Sequence, residues 1–183
     1  MNTESGLAGT LAVSLQLPLV WRTTAPSNLL EASQAAMRAL ATAGSLGERP
    51  PLINEEALGL ELEVARLHQK TQLLIELLAV ALGRDTTRPA PVPLQFSSSL
   101  CSWHSHSAPD SGSLGAVALW LHAAAPEPLV WPAQVEALVD HEGDAVLVQA
   151  RLLPLGEVAQ AALDRYIFQL HRRSIAEARL NRS

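Results

Sequence analysis

The sequence predicts an α+β fold, a small antiparallel sheet or barrel with a long helical insertion and a C-terminal helix. Three observations predict it. Apolar residues alternate with period two in short runs near the start and throughout residues 94–153. Between those two regions the period changes to that of a helix, and it does so again after Gly156. Finally, hydrophobic residues make up 48% of the 183 positions against 17% charged, enough to build one core and too apolar for a disordered chain.

Taken in order, residues 11–22 (LAVSLQLPLVWR) read as one or two strands broken at Pro18. Pro26-Ser27-Asn28 is a cap-like entry to a helix over Leu29–Ala43, which Gly44-Ser45-Leu46-Gly47 ends. Pro50-Pro51 keeps the chain extended. A longer helix starts near Asn54, where Glu55 and Glu56 suit the positive helix end, and stops at Gly83. Pro89, Pro91 and Pro93 mark a connector. Leu94–Ser105 then reads as one strand with Leu94, Phe96, Ser98 and Leu100 on one face, followed by a turn at Pro109–Gly112. Further strands are expected over Leu114–Ala123, Leu129–Val139 and Asp144–Leu153, separated by the Pro126/Pro128 pair and Gly143. From Gly156 to about Leu180, Val158, Ala161, Ala162, Arg165 and Phe168 recur at helical intervals. The chain therefore divides into a helical insertion at residues 28–83, a main sheet at 94–155 and a terminal helix at 156–180, all within one domain.

Composition excludes several function classes. A formal net charge of -5 argues against nucleic acid as a partner, since phosphate contact needs a concentrated basic surface. The basic C-terminal cluster is interleaved with acids and reads as a solvated helix face. One cysteine, Cys101, permits no intrachain disulfide and no multi-cysteine metal site. No apolar run is long enough to cross a bilayer, Leu73–Leu82 being short and interrupted by Glu76. Met1-Asn2-Thr3-Glu4 lacks the positive region of a signal peptide, so the expected compartment is the cytoplasm.

The strongest physical signal lies in the middle helix. Ala57, Leu60, Val64, Leu67, Thr71, Leu74, Leu78 and Ala81 follow one another in alternating steps of three and four, the spacing of a coiled-coil seam. Leu62, Leu73, Ile75, Leu77 and Val80 widen the stripe beyond what a two-stranded coil covers. The reading is an oligomerisation helix, with a bundle of four favoured; the alternative is a helix that covers its own sheet.

No catalytic residue set, metal site or cofactor site emerges. His104 and His106 share a strand face but lack further ligands nearby, so hydrogen-bonded imidazoles are the reading. The serines of residues 97–107 lack a nucleophile elbow. There is no glycine-rich phosphate loop. Trp21, Trp103, Trp120 and Trp131 fall on expected strands or their ends and read as core.

Strand, helical insertion, further strands and a terminal helix ending in ALDRYIFQLHRRSIAEAR together resemble an atypical PilZ domain, of the tetrameric type with inserted heptad-bearing helices. The resemblance implies a six-stranded barrel, a place in bacterial signalling with outputs such as motility or virulence, and cyclic di-GMP as ligand. It also implies an RxxxR arm and a DxSxxG motif, in which paired arginines match phosphates and guanine edges. By topology the second motif falls on Gln95–Leu100: Ser97 is kept, Gln95 replaces the acid and Leu100 the glycine. Residues 1–21 contain neither Arg nor Lys, so the arm is missing before the first strand. These departures predict a non-catalytic adaptor that acts on a protein partner, with little cyclic di-GMP binding at the usual position. A competing alignment makes the chain a true receptor, with Arg84 and Arg88 as the arm and Asp110–Gly115 as the motif. A third reading is a structural assembly protein in which the barrel decorates a helical bundle.

Overall fold

The structure, a computed structural model, describes residues 11–47, 59–83, 88–140 and 145–180. Six strands, β1 (Ala12–Arg22), β2 (Pro91–Ser97), β3 (Leu100–Ser105), β4 (Leu114–Leu119), β5 (Leu129–Asp140) and β6 (Val146–Leu152), close into one antiparallel barrel in the order β1-β2-β3-β6-β5-β4. Helices α1 (Leu29–Leu46) and α2 (Gly59–Gly83) come between β1 and β2, and α3 (Glu157–Leu180) follows β6.

Closure depends on β1. Ala12–Pro18 pairs with β2, and Leu19–Arg22 pairs with β4. The strand does not break at Pro18; it changes partner there. A proline donates no backbone hydrogen bond, so it costs the ladder least where one neighbour hands over to the next. Pro18 still accepts one, from the Trp120 amide at 3.1 Å. Odd-numbered residues of β1 point inward, with Val13 and Leu19 buried and Leu15, Leu17 and Trp21 packed against the core. Trp131 fills the interior from β5, fully buried, with its indole N–H donated to the Leu153 carbonyl at 2.8 Å. That bond removes the penalty of burying an indole donor.

Leu94–Ser105 is not one strand. A tight turn at Ser98-Ser99 splits it into the β2–β3 hairpin, with Leu94 opposite Trp103 and Phe96 opposite Cys101. The Ser97 hydroxyl accepts the amide hydrogens of Leu100 at 2.9 Å and Ser99 at 3.3 Å. A serine side chain thus supplies what glycine or proline supplies in commoner turns.

α1 begins where the cap residue predicts. The Asn28 side chain accepts from the amides of Leu30 and Glu31, at 3.1 and 3.2 Å. The helix runs three residues further than the glycine suggests, through Gly44 to Leu46, and Gly47 caps it by donating to the Ala43 carbonyl. Its buried face, Ala36, Leu40 and Ala43, meets Ala159, Leu163, Tyr166 and Ile167 of α3 in the same core as the barrel interior. Val158 and Phe168 lie on the opposite face of α3 and are exposed.

α2 stands apart. Ile75 packs against a small cluster of Leu46, Ala124 and Ala125. Beside it an apolar groove of about 450 Å³ opens between α1 and α2, lined by Ala41, Leu46, Ile75, Leu78 and Pro126. Among the described residues no helix is long and apolar enough to cross a membrane.

Candidate functional site

Three regions hold the residues that the sequence singles out. The first is the β2–β3 turn. Gln95 is exposed near the end of β2, opposite Ser14 on one side and Ser102 on the other. Ser97 is fully buried. Besides accepting two amide hydrogens, its hydroxyl lies 3.2 Å from the Leu100 carbonyl, to which it donates. Leu100 is half-buried and opens β3 opposite Arg151 of β6. The turn is also held from outside: Gln160 of α3 donates to the Ser98 carbonyl at 3.0 Å, and the Leu152 amide to the Ser99 carbonyl at 2.8 Å. Ser97 therefore acts as a turn-former whose hydrogen-bonding capacity is used within the fold.

The second region contains the alternative arm and motif. Arg84 lies outside the described residues. Arg88 is placed by two short hydrogen bonds from its guanidinium, to the carbonyls of Ala123 at 2.6 Å and Ala125 at 2.7 Å. Planar guanidinium donors suit such a fork, and here they clamp the β4–β5 loop onto the start of β2. Asp110 is exposed in the β3–β4 loop, where its carbonyl accepts from the Ser113 amide. Gly112 has a φ of 81°, and its amide bonds to the Val135 carbonyl at 2.8 Å, which forms the turn. Gly115 lies inside β4 under Trp21: a Cβ there would meet the Arg22 carbonyl oxygen and come within 2.5 Å of Trp21 Cζ2. Of the described residues of this set, Arg88 is not brought beside Asp110 and Gly115. Asp110 and Gly115 are at the start of β4, and Arg88 engages the loop beyond its other end.

The third region is the exposed stripe of α2. Leu60, Val64, Leu67, Leu74 and Leu78 are all more than half exposed, Leu60 reaching 76%. Ala81 is exposed, and Thr71 turns its hydroxyl back to the Leu67 carbonyl at 2.9 Å. Leu62, Leu73 and Leu77 add to the exposed apolar surface, while Ala65 is buried. An exposed apolar patch of this extent, continuous along a helix, is the kind of surface on which interaction sites are built.

His104 and His106 each engage another group. Among the described residues there is no cluster of three or more His, Cys, Asp or Glu that could hold a metal ion. Cys101 is fully buried, and desolvation pushes its thiol up to about 12, so it is a core residue with little thiolate character. The sequence reading missed the outside clamp from Gln160 and the role of Arg88. Neither has a local signal, because each joins residues far apart in the chain.

A family model described as the atypical PilZ domain, cyclic di-GMP receptor, matches residues 37–180. Among solved structures, a pathogenic protein from Xanthomonas campestris is 30% identical to this chain, with a TM-score of 0.71. The match covers 93% of this chain and 90% of that one, and that protein is described as a tetrameric PilZ domain self-assembled via a helical bundle. No curated protein matches.

Proposed function

The chain belongs to the atypical PilZ domain family, and on that premise we propose that it is a non-catalytic signalling adaptor, tetrameric through α2, that contacts another protein. In this reading it does not bind cyclic di-GMP strongly at the family's usual position. The observation that carries the reading is the state of the β2–β3 turn. Ser97 spends its hydroxyl on the turn itself, and Gln95 and Leu100 occupy the positions of the acid and the glycine. Without a carboxylate and a close backbone approach, a guanine loses the partners that would offset its desolvation. Residues 1–21 contain neither arginine nor lysine, so that segment offers the phosphates no clamp.

Assembly through α2 follows from the exposed stripe and from the tetrameric relative. Fully burying a leucine-sized side chain contributes about 1.5–3 kcal/mol, so a seam of five such residues per helix is ample to offset the cost of association.

Calorimetric titration of cyclic di-GMP into the full-length protein tests the reading. A flat trace at micromolar protein is the expected result. Saturable binding that disappears in an Arg84→Ala, Arg88→Ala double variant would overturn it in favour of a receptor.

A further inference from the structure

Trp21 and Trp103 do more than fill the barrel, and the reason lies in its topology. β1 leaves β2 at Pro18, and β2 begins opposite it at Pro91. The last residues of β1 therefore run past the start of β2, leaving a gap in the wall between β1 and β3. Pro91 opens β2 and Pro89 lies just before it, and neither can donate a hydrogen bond to a ladder continued into that gap. The gap opens as a cavity of about 440 Å³. Trp21 and Trp103 stack in its wall, with ring centroids 6.3 Å apart and planes 25° from parallel. Leu19 and Val92 line it beside them, and Ser107 and Pro109 of the β3–β4 loop form one rim. That loop is braced by Ser105, whose hydroxyl donates to the Ser107 carbonyl at 3.0 Å and accepts the Ser107 amide at 3.2 Å.

We propose that this mouth binds a neutral, planar heteroaromatic molecule of nucleoside size. The volume lies within the range of small-molecule sites, about 300–1,000 Å³. Trp21 is partly exposed and is backed by the nearly buried Trp103, so the cavity wall presents indole surface against which a flat ring packs with little substituent preference. The lining contains no Asp, Glu, Lys or Arg, which disfavours a ligand that must bring a charge inside. Thr23 and Ser107 add polar residues to the lining beside the apolar ones. The site lies at the far end of the β2–β3 hairpin from Ser97–Leu100, so it is independent of whether cyclic di-GMP binds there.

Adenosine, with ribose as the control, is the probe, and the readout is the set of indole N–H resonances of the four tryptophans in the full-length protein. Saturable shifts of the Trp21 and Trp103 signals are expected with adenosine and not with ribose, while the sealed Trp131 signal stays in place. Val92→Phe fills the cavity and should weaken the adenosine response at least about tenfold. Ser107→Phe, at the exposed rim, should do the same if Val92→Phe disturbs the barrel, the Trp131 resonance reporting its integrity. No saturable shift with adenosine overturns the proposal, and so does a response undiminished in a folded filling variant.

Discussion

Ser97 and Tyr166 show how much a single polar group decides. Ser97→Ala leaves the part-buried amides of Ser99 and Leu100 without the acceptor that the fully buried Ser97 supplies. The expected loss is about 1–3 kcal/mol, read as a lower urea midpoint at unchanged slope. If Ser97 served a ligand instead, stability would hardly move. Tyr166, the one tyrosine of the chain, is buried between α1 and the barrel, and desolvation raises its hydroxyl to about 12 despite the opposing pull of Arg173. The folded state thus holds the phenol proton more tightly than the unfolded chain does. Its contribution to stability is complete below the ordinary phenol value near 10 and is lost as pH rises toward 12. Cys101 adds the same sign over an overlapping range. Tyrosinate absorbance, which reports this residue alone, should titrate near 12 in the folded protein. Tyr166→Phe should flatten the alkaline fall in urea midpoint; an unchanged fall would place its cause elsewhere.

At the scale of elements, legibility in the sequence follows how local the deciding force is. The start of α1 was open to view because its cap, Asn28, lies two and three residues from the amides it serves. Most strands were visible through period-two alternation, their ends less so: the run expected over 114–123 ends as β4 at Leu119. The β2–β3 turn was hidden because it contains no glycine, proline or asparagine and is clamped by Gln160, 62 positions away. Pro18 misled for a related reason. Its effect depends on which neighbour β1 has at that point, and closure of the barrel decides that. Of the site, the identities of Gln95, Ser97 and Leu100 were there to read, whereas the turn that Ser97 forms and the separation of Arg88 from Asp110 and Gly115 required the fold. α2 gives a prediction of its own. Leu67 and Leu74 are 66% and 65% exposed in the single chain, so glutamates there cost the isolated subunit little. In the proposed bundle the same glutamates would be buried and unpaired, which is strongly unfavourable. Leu67→Glu with Leu74→Glu should therefore give a folded monomer by light scattering. A double variant that keeps the wild-type mass would exclude this face as the seam.

For the molecule as a whole, the barrel and its two covering helices form a body that does not depend on α2. Six strands close into one barrel in which each strand pairs with a neighbour on both sides over at least part of its length. The main core cluster draws on all six strands, α1 and α3, and among the described residues none of its members comes from α2, whose Ala65 is buried outside that cluster. What α2 adds is Ile75, resting on Leu46, Ala124 and Ala125, beside a groove that stays open. Its removal would uncover little of the core while withdrawing the largest exposed apolar stripe. Deletion of residues 54–82 should then yield a soluble monomer with cooperative unfolding and the wild-type near-ultraviolet signal of its buried tryptophans. That outcome separates the two roles of the chain, with folding placed in the barrel and assembly in the helix. Loss of cooperative unfolding would instead mean that the body is completed only inside the oligomer, and the barrel would count as an appendage of the bundle. Because Trp131 and Phe96 are fully buried in a cluster to which no described residue of α2 belongs, the physical expectation is the first.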